Sequence, residues 1–472
     1  MVGRLCSADC VCPFLTMNPA LPTVDNLNRL AKAVMQRHGA SYDEALAILA
    51  RLRLHIACPA FAVSQRQYQA ALLTIVNTGK RAFLGGVTVE LQSDQTCVLP
   101  GWVGRNLSEV VVNLGGQIVS ARVQAHHTVW LGNSVAAKPG DLILIADGWR
   151  GGFVPAGYPA PFVESNDSPL GGVLAAGIVV ARAFIDAAGL VAGGCDESFG
   201  LSLWRPELPW NVDSSAGPTL VRLPEKVWLL GLGHLGQAYL WTLGLLPYAK
   251  DSSAKLFLHD YDKITSGNWG AGVLCELTAQ GILKTRVCTP WAEARGFETR
   301  HIERPFDRDT RVGEDEPRIA LCGFDSAAGR RALETAGFDL VVECGLGSSL
   351  EYFDRLVLHT FPDATHQPHQ IWPDAARPDV VDFDPKLFGV ELAENECGVL
   401  LDNLARKPIS ASFVGVTAAA FVVAELLRGL HGGQRYELLM LHLRSNRSLR
   451  AVPKSEVYQR RHAANGILRP AA

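Results

Sequence analysis

An α/β chain built on doubly wound parallel sheet is what this sequence predicts, and three observations carry the prediction. Val227-Trp-Leu-Leu runs into Gly231-Leu-Gly233-His-Leu-Gly236, a glycine triplet set between an apolar strand and an apolar helix-length run ending at Pro247. Lys255-Leu-Phe-Leu-His259 follows as a second apolar strand, closed by Asp260-Tyr-Asp262. Beyond it, strand and helix patterns alternate, as in a sheet covered by helices on both faces.

The glycines have a physical reason. Gly231 makes the turn, Gly233 lets a phosphate or ribose reach the backbone, and Gly236 lets the helix pack against the strand. The first N–H groups of that helix then face an anion. The unit is Rossmann-like and predicts a nucleotide site, with the nucleotide left open at this point.

With 472 residues the chain exceeds one ordinary core, so two domains or one doubled unit are expected. A net charge of −3 and no long basic block give nothing that points to nucleic acid or an anionic membrane. The longest apolar segments, such as Gly171 to Val180, are too short to span a bilayer, and the N-terminus lacks a basic-then-apolar layout. A soluble cytoplasmic protein is expected. The 11 cysteines read as thiols, not as a disulfide framework. Cys6, Cys10 and Cys12 lie in an irregular tail with no matching second pair for a metal.

In chain order, residues 1–24 read as tail. Helical periodicity covers Val24 to His38 and Tyr42 to His55, and strand-like runs cover Arg81 to Leu91 and Leu142 to Ala146. A small-residue helix runs from Pro169 to Ile185, and Val191 to Pro218 reads as a strap between domains. In the second half, Val227 to Leu230, Lys255 to His259, Glu298 to Ile302, Arg318 to Cys322 and Leu340 to Glu343 read as strands, and Thr278 to Ala294 as a helix. A late helix, Gly415 to Leu427, repeats about half of Gly172 to Phe184 in register, which suggests two copies of one unit. The first copy has Gly85-Gly86 but no glycine triplet and no acid pair, so it reads as a degenerate nucleotide fold with a structural job. The expected division is a tail over 1–24, an inactive domain over 25–215 and an active one over 220–472.

The polar residues after Gly236 are not those of hydride transfer. Asp260 can hold ribose hydroxyls, Asp262 and Asn268 follow closely, Lys284 sits on the next helix pattern, and Asp325 closes a further strand. Acids, an amide and a lysine around a phosphate turn suit a triphosphate with Mg²⁺, the metal held through carboxylate oxygen.

Gly231-Leu-Gly233-His-Leu-Gly236, Asp260-Tyr-Asp262, Ser266-Gly-Asn268, Gly281-Ile-Leu-Lys284 and Cys322-Gly-Phe-Asp325-Ser-Ala-Ala-Gly-Arg330 together resemble the adenylation domain shared by ThiF, MoeB and the ubiquitin-activating enzymes. The resemblance covers most of residues 220 to 431. It implies paired domains, one of them inactive in ubiquitin-activating enzymes, and ATP- and Mg-dependent adenylation of the C-terminal glycine of a ubiquitin-like protein. By motif match, Asp260 would hold ribose, Asn268 and Lys284 the phosphates, and Asp325 the Mg²⁺. Some members then form a thioester and hand the acyl group to a conjugating-type enzyme. Cys397, in Glu394-Asn-Glu-Cys397-Gly, is placed as their reactive cysteine is. The compact chain is similar to bacterial activating enzymes of conjugation operons linked to antiphage defence, and pairing into a homodimer fits the same plan.

Two departures stand out. Ala271 occupies the place of the arginine in the family's Asn-Leu-x-Arg-Gln run, which leaves Arg51, Arg53 or Arg66 of the first half as candidate substitutes. The Cys-x-x-Cys pairs that hold zinc in ThiF-type members are absent. Of the other residues, Cys322 and Cys344 read as buried thiols, His126-His127 as a solvated or core pair, His359, His366 and His369 as loop residues, and Arg444 to Arg461 as a solvated tail. The rival readings are ThiF-type adenylation without a thioester, an NAD-dependent oxidoreductase, and a nucleotide-binding scaffold.

Overall fold

The computed structural model describes residues 28–191, 195–250, 252–363, 365–373, 408–454 and 466–468. Helix α1 (Arg29–His38) starts at Asn28, whose side chain accepts from the N–H groups of Leu30 and Ala31, and stops at Gly39 with φ of 64°. Ser41 and Glu44 form a reciprocal capping box for α2 (Tyr42–Leu49). That helix is shorter than the periodicity predicts, because Leu54–Cys58 is strand β1, buried on both faces. Two helices follow, α3 (Ala60–Val63) and α4 (Arg66–Gly79). Every residue from Gln67 to Gly79 is buried, so the polar residues of α4 face protein and not solvent, with Thr74 and Asn77 bonding to the second half.

A seven-stranded sheet is completed by β2 (Val87–Leu91), β3 (Gln117–Val119), β4 (His127–Leu131), β5 (Leu142–Asp147), β6 (Arg150–Pro155) and β7 (Phe199–Ser202). Its order is β3-β2-β1-β4-β5-β6-β7, parallel as far as β5 and antiparallel after it. The strand expected from Arg81 begins only at Val87. Gly85 and Gly86 therefore precede it, and a Cβ on Gly85 would press on the carbonyls of Leu52 and Ala50 at 2.6 and 2.8 Å. Helix α5 (Leu107–Asn113) leads to β3, and α6 (Pro169–Ala187) connects β6 to β7.

After β8 (Arg222–Pro224) the plan repeats. Strands β9 (Lys226–Leu230), β10 (Lys255–His259), β11 (Glu298–Ile302), β12 (Ile319–Cys322), β13 (Leu340–Leu346), β14 (Arg355–Phe361), β15 (Tyr436–His442) and β16 (Ser445–Pro453) form an eight-stranded sheet. The order β11-β10-β9-β12-β13-β14-β15-β16 matches the first sheet through its seven strands and adds β16 at the edge, again parallel through the fifth member and antiparallel beyond. Helices α7 (His234–Leu245), α8 (Lys284–Glu293), α9 (Ala327–Ala332), α10 (Pro368–Ile371) and α11 (Ser412–Leu430) complete this half, and β17 (Gly466–Leu468) pairs with β8. The helix expected from Thr278 begins at Lys284, after Gly281 at φ +85°. Strands β14 to β16 carry no clear alternation in the sequence, and β16 takes up part of the tail expected to be solvated. Arg444, just before it, pairs with Asp354 at 3.0 Å.

Helices α6 and α11 occupy the same place in their halves and meet each other. Both are long and apolar enough to cross a membrane, yet both are buried inside the fold. Helix α4 packs on α6 and α7 on α11, so one hydrophobic core runs through both halves. Glycines set the spacing. A Cβ on Gly177 would overlap Thr417 Oγ1 and lie 3.0 Å from the carbonyl of Phe413, and one on Gly172 would overlap the carbonyl of Gln67. Gly177→Val is therefore expected to lower stability by about 2–3 kcal/mol through overpacking. Denaturant unfolding checks this, and an unchanged midpoint would contradict the tight contact.

Candidate functional site

A cavity of about 620 Å³ opens at the C-terminal ends of β9, β10 and β12, where the strand order reverses. That switch point is where open α/β sheets bind ligands, and the size suits a small molecule. Gly231, Gly233, Asp260, Asp262, Asn268, Lys284 and Asp325 all line the cavity, so seven of the eight sequence-derived polar and turn positions converge, and Gly236 stands directly behind. Gly231 has φ of +80°, the left-handed region where other residues are strained. A Cβ on Gly236 would run into the carbonyl of Gly231, so helix α7 needs a glycine to approach the turn. A Cβ on Gly233 would meet nothing within 4 Å, which leaves its backbone open to a ligand.

The acids are placed by the backbone. Asp260 is 7% exposed, and its carboxylate accepts from the N–H of Leu232 at 2.6 Å and that of Asp262 at 2.8 Å. Lys284 Nζ lies 2.7 Å from Asp262 Oδ2 and 3.5 Å from Asp260 Oδ2. Burial pushes the Asp260 carboxyl above its usual range, against Lys284 and the two N–H groups. Burial would lower Lys284, but Asp260 and Asp262 outweigh it and hold the ammonium charged. Asn268 ends a short turn, its Oδ1 accepting from the N–H of Thr265 at 2.9 Å. Asp325 is exposed at the rim. Deeper in the wall, the His259 ring meets Phe306 and Phe324 edge-on at 5.6 and 6.0 Å, and burial pushes His259 down to about 4.

The first half reaches this cavity. Arg51 and Arg53 are exposed away from it and Arg66 pairs with Asp167 at 2.8 Å, so none of these three candidates lines the site. Arg29, the first residue of α1, does line it. Arg29 also opposes a proton on His234, which burial, as the larger cause, pushes down to about 4. The Asn28 cap marks the start of α1 in the sequence, but nothing local marks Arg29 as a residue of the cavity. Arg330, which also lines the cavity, stands 3.0 Å from fully buried Glu343, while His359 of β14 holds the other side of that carboxylate at 3.0 Å. His359 is thus a strand residue in a buried ion cluster, not a loop residue.

A second contact from the first half holds the loop after Asn268. Arg81, fully buried, donates to the carbonyl of Trp269, to that of Cys275 at 3.1 Å and to that of Val273 at 3.3 Å. Asn77 Nδ2 donates to Val273 at 2.9 Å, and Lys80 pairs with Glu276 at 2.7 Å. Ala271 and Gly272 of the cavity wall lie inside the clamped span.

The matching crevice of the first half has lost its chemistry. Cys58 pairs with Leu91 as Leu230 pairs with His259, so Gln92 stands where Asp260 stands in the second sheet. Its Oε1 accepts from the N–H of Ala60 at 3.2 Å, the same bond that Asp260 makes to Leu232, but an amide replaces the carboxylate. The Phe61 ring and the Tyr68 hydroxyl stand 2.8 and 3.0 Å from where a Cβ on Gly132 would be, across the space a nucleotide would need. Among the other candidates, Cys322 and Cys344 are fully buried, and burial pushes the Cys322 thiol up to about 12. Cys397, Cys6, Cys10 and Cys12 lie outside the described residues. Pro408, Ile409 and Ser410, eleven to thirteen positions after Cys397, line the cavity, and Ser410 Oγ is 2.9 Å from His234 Nδ1.

Two outcomes are expected. His259 is held neutral with a folded pKa of about 4, below its unfolded value, so its contribution is full above pH 6.5 and is lost as pH falls toward 4. His259→Phe should remove about 2 kcal/mol of that acid destabilisation at pH 4.5, read by urea unfolding at pH 7 and 4.5. Arg81→Leu, which strips the carbonyls of Trp269 and Cys275 of their donor and leaves Val273 only Asn77, should cost about 3 kcal/mol of stability and weaken nucleotide binding by about tenfold or more. Calorimetry on wild type and variant measures both.

The chain matches two family models in order, the BilD N-terminal domain over residues 53–203 and the BilD C-terminal domain over residues 223–433. A protein described as bacterial E1-like protein BilD, from Collimonas sp. (strain OK412), is 35% identical over 424 residues, covering 88% of this chain and 90% of that one. Similar solved structures include PaaA (13% identity, TM-score 0.30, 49% of this chain and 64% of that one). Escherichia coli MccB with MccA-N7isoASN is another (14% identity, TM-score 0.33, 67% of this chain and 96% of that one). With both domains matched and the identity sustained over nearly the full length, the chain belongs to the BilD family of bacterial E1-like proteins.

Proposed function

We propose that the chain adenylates the C-terminal glycine of a ubiquitin-like protein with ATP and Mg²⁺, then passes the acyl group to Cys397 and on to a conjugating-type enzyme. One observation carries the reading. In a chain of an E1-like family, a single cavity gathers a backbone-held carboxylate, a charged lysine, an open glycine turn and an exposed carboxylate. Asp260 suits ribose, and Lys284, Arg29 and Arg330 supply positive charge against a triphosphate. The ring group of His259, Phe306 and Phe324 offers an apolar wall to a base.

Asp325 is exposed at the rim and has no hydrogen-bond or ion-pair partner among the described residues, which fits a hard cation taken through carboxylate oxygen. Mg²⁺ there would neutralise phosphate oxygens. In the reaction, the glycine carboxylate oxygen attacks the α-phosphorus of ATP and pyrophosphate leaves. The Cys397 thiolate then attacks the acyl carbon, and AMP leaves. A nicotinamide site has no use for the Lys284–Asp262 pair or for Asp325. The reading extends to a cytoplasmic enzyme of a bacterial conjugation operon of the antiphage kind, on the strength of the motif resemblance.

Pyrophosphate exchange into ATP tests it, run with and without a ubiquitin-like protein ending in glycine. Exchange should require that partner and fall by about 100-fold in Asp325→Ala and by about tenfold or more in Arg29→Ala. A reductant-sensitive conjugate absent from Cys397→Ala would mark the thioester. ATP binding without exchange, whichever ubiquitin-like protein is offered, would defeat the adenylation reading.

A further inference from the structure

His127, Asp186 and Cys195 come together in the inactive half, far in sequence from the nucleotide residues. His127 opens β4, Asp186 lies in the last turn of α6, and Cys195 follows that helix before β7. One donor atom from each falls within 4.8 Å of the other two, and His127 Nε2 is 3.0 Å from Asp186 Oδ2. His127 and Cys195 are 9% and 8% exposed, whereas the Asp186 side chain is 32% exposed and leaves a path to solvent. The simpler account is an ion pair beside a buried thiol. His127 Nδ1 is buried with no hydrogen-bond partner among the described residues, and a metal held at Nε2 would leave it so; what favours a metal is that imidazole, carboxylate and thiol meet at one point.

The local field favours a cation. Helix α6 ends here, and its terminal carbonyls already draw donors: His38 Nε2 lies 2.8 Å from the Ala188 carbonyl, and Arg37 donates to Gly189 at 3.0 Å. Arg182, the one arginine or lysine of α6, donates to the carbonyls of Leu443 and Arg444 and lies 5.0 Å over the Phe199 ring, and its charge also acts on Asp186 and Cys195, which a bound cation would have to offset. We propose that His127, Asp186 and Cys195 form a binding site for a zinc-type divalent transition metal, with solvent in the fourth position. Imidazole, carboxylate and thiolate together select such a metal over Mg²⁺ or Ca²⁺. Binding releases the Cys195 thiol proton to solvent and ties β4, the end of α6 and the approach to β7 to one ion. The metal would brace the half that carries Arg29 and Arg81.

Cobalt(II) titration of the full-length protein tests this, because a bound thiolate gives a sulfur-to-cobalt charge-transfer absorption. Wild type should develop that band at one equivalent, and Cys195→Ser should lose it. Asp186→Asn, a change at a partly exposed side chain, should weaken binding by about tenfold or more and decides the matter even if the cysteine variant fails to fold. Zinc should compete with cobalt in wild type. A band that persists in folded Cys195→Ser would place the thiolate elsewhere in the chain, and its absence from wild type or unchanged affinity in Asp186→Asn would equally overturn the site.

Discussion

Two 19-residue apolar helices, α6 and α11, meet with no room for a side chain between them at Gly177, and the rest of the molecule is arranged by that contact. Neither helix has a polar face, so each must be covered on all sides. Its own sheet covers one side, α4 or α7 another, and the opposite half the remainder. Separate folding of the halves would expose these surfaces to water at roughly 25 cal/mol per Å², which is why a duplicated unit here is one body with one core.

That union lets the two copies diverge. In the second half, Asp260 places a buried carboxylate on the glycine turn, where two N–H groups and Lys284 face it and work against the cost of burial. In the first half, Gln92 makes the same backbone bond with no charge to sustain, and Phe61 stands in the crevice. Freed from ligand binding, the first half supplies supports: Arg29 at the cavity wall and Arg81 behind the loop after Asn268. The loss of the expected arginine at Ala271 is thus set within a loop held by another arginine's grip on its carbonyls, though Arg81 itself does not line the cavity.

Charge inside the core follows the same logic. Glu425, Arg428 and Arg435 are buried together at the end of α11, and Arg428 also donates to the carbonyl of Leu203 in the first half. Glu425 is the carboxylate shared by both guanidinium groups, so removing it would take the counter-charge from two buried arginines in low dielectric, whereas removing either arginine leaves Glu425 the other.

What the sequence determined by itself was local. The glycine triplet, the apolar strands β9, β10 and β12 and the acids that end them are set by backbone geometry and short-range periodicity, and so were visible as residues. The repeat between Gly172 and Gly415 was visible for the same reason, since each glycine marks a close helix approach. Helix α4 and strands β14 and β15 were not, because in α4 the polar residues Gln67, Gln69, Thr74 and Asn77 are buried among protein partners, and in β14 and β15 apolar residues stand on the half-buried face as well as on the buried one. Only the tertiary structure decided which arginine enters the cavity and which residues clamp its loop. Arg29 and Arg81 act across the interface between the halves, where partners are chosen by packing at long sequence separation and no spacing along the chain records them.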